Sequence, residues 1–129
     1  KPATSETVEN KEHFLKMNGK EVFKFAVTVI PDTVAKTLEK AGMEMSDIDL
    51  IVPHQANYRI VSAAAKKMNY PEEKFYMNLN KLGNTSGASI GLALTEAYEN
   101  GLVKKGDNLV FVGFGAGLSY ASLVLKWAY

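Results

Sequence analysis

Residues 108–127 read NLVFVGFGAGLSYASLVLKW, and the fold turns on how this stretch is read. Asn108 to Phe114 and Leu118 to Trp127 are dominated by β-branched, aromatic and aliphatic residues, with Gly115-Ala116-Gly117 between them as turn residues. Two strands joined so tightly return antiparallel, because a parallel return needs a crossover of about a dozen residues or more. Upstream, Ile48-Asp49-Leu50-Ile51-Val52 is a short buried-strand pattern closed by Pro53, and Phe75 to Leu79 is a second strand candidate. Helical spacing fills the gaps. Ala56 to Met68 places Ile60, Val61, Ala64 and Met68 on one side and Arg59, Ser62, Lys66 and Lys67 on the other. Ser86 to Asn100 reads as a helix with Thr85 or Ser86 as N-cap and Gly101 after its end. Right-handed crossovers then make the first three strands parallel and leave the last antiparallel. The expected fold class is α/β, a mixed sheet with parallel strands, crossover helices and a C-terminal antiparallel hairpin.

From Asn18 to Lys40 the apolar positions Val22, Phe23, Ala26, Val27, Ile30, Val34, Ala35 and Leu38 follow helical spacing, and Gly42 stands where a C-terminal cap belongs. Pro31 is expected to kink or split this helix. Lys1 to Glu12 is polar and reads as a linker or loop end. Residues 1–16 are therefore expected to be a polar lead-in, and 17–129 a single domain. At 129 residues such a chain buries roughly two-thirds of its unfolded surface. A content of 47% hydrophobic and 22% charged residues is that of a soluble globular protein. The formal charge of +1 gives no support to a nucleic-acid partner, although a local basic patch can still attract an acidic protein. Zero cysteines exclude a disulfide framework, a thiolate metal site and a cysteine nucleophile within these residues. No apolar run reaches the ~20 residues of a membrane span. The N-terminus has neither a signal segment nor a starting Met, so a cytoplasmic protein, and a fragment of one, is expected.

Ligands of open α/β sheets bind beyond the strand C-terminal ends, and three segments lie there. Pro53-His54-Gln55-Ala56-Asn57 follows the first strand, Leu82-Gly83-Asn84-Thr85-Ser86-Gly87 follows the second, and Gly113-Phe114-Gly115-Ala116-Gly117 follows the third. A loop histidine is more often structural than functional, and Asn is a common loop and cap residue, so neither settles the chemistry alone. A dinucleotide fingerprint fails, because no helix and no acidic residue about 20 positions on can follow the glycines. With only His13 and His54 as histidines and no cysteine, no metal site is expected. Asn84-Thr85-Ser86 matches a glycosylation sequon but lacks the secretory context that would give it meaning.

Together, these three segments resemble the C-terminal signatures of β-ketoacyl-acyl carrier protein synthase III, a thiolase-superfamily family, in order and in spacing. The resemblance runs from about Met17-Asn18-Gly19-Lys20-Glu21-Val22-Phe23 to the C-terminus. It implies the second of two similar α/β halves, the first half supplying a nucleophilic cysteine. The implied reaction is decarboxylative condensation of an acyl group, taken from acyl-coenzyme A, with malonyl-acyl carrier protein at the start of fatty acid synthesis. The chain would be inactive without the upstream half. The coenzyme A thioester is then a substrate, and no cofactor is implied. His54 and Asn84 take the family's role of N–H donors to the enolate oxygen left by decarboxylation, which needs preorganised donors in a dry site. A neutral imidazole donor must be held in one tautomer, so some group is expected at its other nitrogen. The family pattern makes Phe114-Gly115-Ala116-Gly117 an active-site loop, with the Ala116 N–H completing a second oxyanion hole. Ala departs from the usual Gly there, which is tolerable only where φ and ψ suit a Cβ.

By the same resemblance Asn57 contacts the pantetheine arm, although an Asn at a helix start is equally a cap. Lys24, Arg59, Lys66 and Lys67 resemble a docking surface for the acidic carrier protein, against the alternative of a solvated basic face. The small residues Ser86, Gly87, Ala88, Ser89 and Gly91 permit close backbone approach, and the family's helix here is central and buried. A bacterial, cytoplasmic homodimer is implied. Two alternatives stand beside this reading. One is a superfamily acyltransferase without decarboxylation, which an acidic residue in place of Asn84 would have favoured. The other is a non-catalytic fragment that oligomerises to cover apolar surface.

Overall fold

A computed structural model describes residues 1–129. Three strands form one sheet: β1 (Leu50–Pro53), β2 (Asn108–Gly115) and β3 (Ser119–Lys126), in that order across the sheet. β1 runs parallel to β2, with Leu50 opposite Leu109 and Pro53 opposite Val112. β2 and β3 form the antiparallel hairpin, from Asn108 opposite Lys126 to Gly115 opposite Ser119. The helices are α1 (Ser5–Glu9), α2 (Gly19–Ala41), α3 (Tyr58–Lys67), α4 (Leu79–Leu82) and α5 (Ser89–Glu99). No helix is long and apolar enough to cross a membrane.

Because side chains alternate across a strand, β1 and β2 feed two cores. Ile51, Val110 and Val112 point to one face and pack with Ala26, Ile30, Val34 and Leu38 of α2 and with Ile60, Val61, Ala64 and Ala65 of α3. Leu50, Val52, Leu109 and Phe111 point to the other face, against Ala93 and Ala97 of α5 and Val103. All four residues of β1 are buried, as a strand covered on both faces requires. Helices on both sides of a mixed sheet are the α/β layering expected from the sequence.

Pro31 does not split α2, which runs unbroken through it. A proline inside a helix costs about 3 kcal/mol, but the helix buries Ala26, Val29 and Ile30 before Pro31 and Thr33, Val34 and Leu38 after it. Burial of that order, at about 1.5–3 kcal/mol for each large aliphatic side chain, outweighs the loss. Gly42 closes the helix in the left-handed conformation, and Asn18 caps its start by accepting the Glu21 N–H at 3.3 Å. The polar lead-in contains one helical turn, α1, capped by reciprocal Thr4 and Thr7 bonds and with no buried residue.

The strand expected over Phe75 to Leu79 is not formed. Only one parallel bridge, Ile51 with Phe75, joins this segment to the sheet, and residues 79–82 turn into α4. The cause lies in Pro53. The Tyr76 N–H donates to the Ile51 carbonyl at 2.9 Å, and the next rung of a parallel ladder would need an N–H from residue 53, which proline lacks. The Gln55 side chain takes over. Its amide N–H groups reach the Pro53 carbonyl at 2.8 Å and the Tyr76 carbonyl at 3.1 Å, and its Oε1 accepts the Asn78 N–H at 3.0 Å. The Asn78 side chain then donates to the Glu96 carboxylate of α5 at 2.7 Å.

The helix expected from Ser86 begins instead as a short 3-10 turn over Ser86–Ala88 before α5 proper. Ser86 sits at φ 52, which an α-helix cannot contain, and Thr85 makes no side-chain cap bond. Ser89, Ala93 and Ala97 bury one face of α5, but Leu92 and Tyr98 on the opposite face are 42% and 47% exposed. Space around Gly87 and Gly91 is open. The buried central position implied for this helix is thus half realised within this chain.

Replacing Gln55 by Leu should cost about 2–4 kcal/mol, because the Tyr76 carbonyl and Asn78 N–H would lose their partners in a buried setting. Urea denaturation of the Gln55→Leu chain should show a lower midpoint at unchanged slope, while exposed Asn80→Ala leaves it in place.

Candidate active site

Three chain segments meet at the C-terminal edge of the parallel strands. His54 directly follows β1, and its backbone N–H extends the ladder by donating to the Val112 carbonyl at 2.8 Å. The end of β2 brings Phe114 and Gly115, followed by Ala116. The segment entering α5 brings Asn84 and Ser89. His54, Asn84, Ser89, Phe114, Gly115 and Ala116 line one cavity of about 450 Å³, whose wall carries no carboxylate, thiol or ammonium group.

His54 is half-buried, and its ring is held on two sides. Nδ1 lies 2.6 Å from Ser89 Oγ, and the edge-to-face ring of Phe114 has its centroid 5.5 Å away at 72°. Nε2 has no partner within the chain. Ser89, 1% exposed, also accepts the Gln55 N–H at 3.2 Å. The group expected at the second imidazole nitrogen is therefore Ser89, 35 positions away in sequence.

Asn84 is oriented by its own loop. Gly83, at φ 67 and ψ −161, occupies a region essentially restricted to glycine. The Ser86 N–H then donates to Asn84 Oδ1 at 2.9 Å. A backbone N–H can only donate, so the atom facing it must be the amide oxygen, and the Nδ2 donors are left for a ligand. Ser86 keeps its left-handed backbone beside this bond, a strained conformation of the sort that concentrates at functional sites.

In the hairpin turn, Gly117 at φ 74 and Leu118 at φ 54 carry the left-handed positions. Ala116 is not among the residues of positive φ, so its Cβ meets the condition set by the sequence. Gly117 shapes the turn without lining the cavity. Asn57 caps α3 by accepting the Arg59 N–H at 2.8 Å; it stands outside the cavity wall, with its Nδ2 donors unused. Arg59, Lys66 and Lys67 lie exposed on α3, Lys24 lies exposed on neighbouring α2, and none of the four reaches the cavity. The structure thus joins His54, Asn84 and the loop 114–116, and separates them from the basic residues. Ser89 and Gln55, which fix the geometry, carried no spacing signal. Only the position of Gln55, polar between a buried strand and a helix, hinted at its role.

The chain matches the family described as 3-oxoacyl-[acyl-carrier-protein (ACP)] synthase III C terminal over residues 38–127. It is 55% identical to a β-ketoacyl-[acyl-carrier-protein] synthase III of Fusobacterium nucleatum over 129 residues, all of this chain and 39% of the relative. It is 52% identical to the protein of that name from Caldanaerobacter subterraneus over 127 residues, 98% of this chain and 38% of the relative. Among solved structures, the synthase III of Thermus thermophilus superposes with a TM-score of 0.85 at 50% identity, covering 88% of this chain and 35% of that one. The 3-oxoacyl-(acyl carrier protein) synthase III of Pseudomonas aeruginosa gives 0.89 at 40% identity, covering 99% and 40%. This chain therefore belongs to the synthase III C-terminal family and has its thiolase-like fold, and it spans about two-fifths of the length of these curated relatives.

Burial lowers the pKa of His54 from the ordinary 6.5, because desolvation penalises the imidazolium. An NMR titration of the ring should place its midpoint below 6.5, with the neutral form persisting into more acidic solution. By linkage, the neutral ring stabilises the fold above the ordinary value, and this contribution is lost as pH falls through the lowered one.

Proposed function

We propose that, as a member of this family, the chain supplies the enolate-stabilising half of a decarboxylative condensing site. An acyl group from acyl-coenzyme A is joined to malonyl-acyl carrier protein, the first carbon–carbon bond formation of fatty acid synthesis. The cysteine that holds the acyl group comes from the upstream half of the same enzyme. The observation that carries this reading is the pairing of His54 Nε2 and Asn84 Nδ2 as unpartnered nitrogens on one cavity wall that has no carboxylate. A site built for base catalysis on a hydroxyl or amine acceptor would put an acidic group there; a site built to hold an enolate needs donors and no negative charge.

Malonyl decarboxylation breaks the bond between the α-carbon and the carboxylate. The electron pair passes into an enolate whose oxygen gathers charge, and carbon dioxide leaves. The two N–H donors stabilise that oxygen more in the transition state than they stabilise the thioester carbonyl. The enolate carbon then attacks the acyl thioester on cysteine, and the Ala116 N–H serves the oxyanion formed at that carbonyl. Collapse of that intermediate breaks the C–S bond, releasing the cysteine thiolate and leaving a 3-oxoacyl thioester on the carrier. No metal or prosthetic group takes part in this reading. Asn57, at the outer end of α3, is assigned to the pantetheine arm through the Nδ2 donors its capping role leaves unused.

Arg59, Lys66 and Lys67 form the carrier-docking surface, and none of them is engaged in an ion pair within the chain. Lys24 contributes less, since it already pairs with Glu21 at 3.1 Å. Charge outside the cavity acts on encounter with the acidic carrier and leaves the chemical step alone. A cytoplasmic homodimer completes the reading.

In the complete enzyme, His54→Ala should reduce malonyl decarboxylation by roughly 10²–10³-fold, with acyl transfer to cysteine unchanged. Equal loss of both steps would contradict the donor role. Arg59→Glu should raise KM for malonyl-carrier protein by roughly tenfold while KM for acyl-coenzyme A stays constant, and added salt should shrink the difference. Parallel changes for both substrates would remove Arg59 from the docking surface.

A further inference from the structure

We infer that Ser89 is the positioning residue that holds His54 as a neutral imidazole with its proton on Nε2, an inference resting on the donor role proposed for His54. Ser89 Oγ meets two groups, His54 Nδ1 at 2.6 Å and the Gln55 backbone N–H at 3.2 Å. The amide can only donate, so Oγ accepts there. A serine hydroxyl carries one hydrogen and two lone pairs. Ser89 is 1% exposed, and within the chain the only acceptor its hydrogen meets is Nδ1. Nδ1 therefore accepts, which in a neutral ring puts the proton on Nε2.

The alternatives each strand a group. A proton on Nδ1 would donate to Oγ, leave the serine hydrogen buried without an acceptor, and turn the bare Nε2 lone pair toward a developing enolate. An imidazolium would strand the same hydrogen and in addition carry charge in a half-buried site, in line with the lowered pKa of His54. Ser89 also opens α5, the element that Asn84 enters through its bond to the Ser86 N–H. The 3-10 turn Ser86–Ala88 and the start of α5 directly after it thus register the two donors, and a shift of this junction would move them together.

The test uses the complete enzyme with ¹⁵N-labelled histidine, above the pH at which His54 titrates. In the unmodified enzyme the ¹⁵N shifts should report Nε2 protonated and Nδ1 bare; a protonated Nδ1 would overturn the inference whatever the rates. Ser89→Ala should give a mixture of tautomers and lower the rate constant for malonyl decarboxylation by roughly 10–100-fold, with KM for the malonyl substrate and cysteine acylation little changed. Ser89→Thr, which keeps the hydroxyl, should restore the single tautomer and much of the rate. In a His54→Ala background the Ser89→Ala change should cost nothing further. An unmixed tautomer in Ser89→Ala, or an equal additional loss in that background, would show that Ser89 does not act through His54. Full decarboxylation by His54→Ala alone would instead overturn the proposed function, and the ¹⁵N shifts would still decide the tautomer.

Discussion

The absent N–H of Pro53 is the constraint on which the site depends. It ends the parallel ladder between β1 and the segment of Phe75 after one bridge, and the Gln55 side chain supplies the missing donor. Because Gln55 is spent on Pro53, Tyr76 and Asn78, the residue before it is left at the strand end, where His54 enters the cavity. The same clip ties residues 76–78 down, and the Asn78 bond to Glu96 anchors them to α5. A missing backbone donor is thereby converted into the geometry that sets the strand end and the approach to Asn84. Buried amide networks of this kind rigidify a structure when every member is satisfied, and here each arm of the Gln55 amide has a partner.

The polar groups divide into two populations with different physics. Around the cavity they are uncharged: the half-buried His54 imidazole, the exposed Asn84 amide, the buried Ser89 hydroxyl and backbone groups, joined by short bonds. On α3 they are cationic and exposed, where solvent and salt screen them. The Lys81 ammonium and then the Asn78 amide hold Glu96 below the usual carboxylate range. That acid is thus kept ionised and engaged behind the site and away from the cavity wall. Glu96 is absent from the lining of the cavity, and for the proposed enolate a negative charge there would be unfavourable.

The α5 surface shows how far this chain covers its own site-bearing helix. Its inner face is packed with Ser89, Ala93 and Ala97, while Leu92 and Tyr98 remain exposed on the other side. Gly87 before it and Gly91 in its first turn face open space within this chain. Two cores on either side of the sheet hold the domain together, and the helix that carries the site is anchored by only one of its faces.

The sequence by itself determined the layering, the hairpin and the three motif segments at one sheet edge. These follow from local patterns: short continuous apolar runs in LIVP and NLVFVGF, helical spacing around Ile30 and Ile60, and Gly or Asn where the backbone reverses. Tertiary structure alone decided the rest. Phe75 to Leu79 has strand-forming residues, yet pairing is a property of two chains, and the partner strand ends in a proline. Pro31 looked disruptive until burial on both sides of it outweighed its local cost. The helix from Ser86 gave way to a tighter turn because the Asn84 side chain holds the Ser86 N–H. Ser89 and His54, 35 residues apart, share no periodicity that could announce their bond. Local propensity acts over a few residues, whereas a hydrogen bond across the fold exists only once the core has brought its two ends within 3 Å of each other.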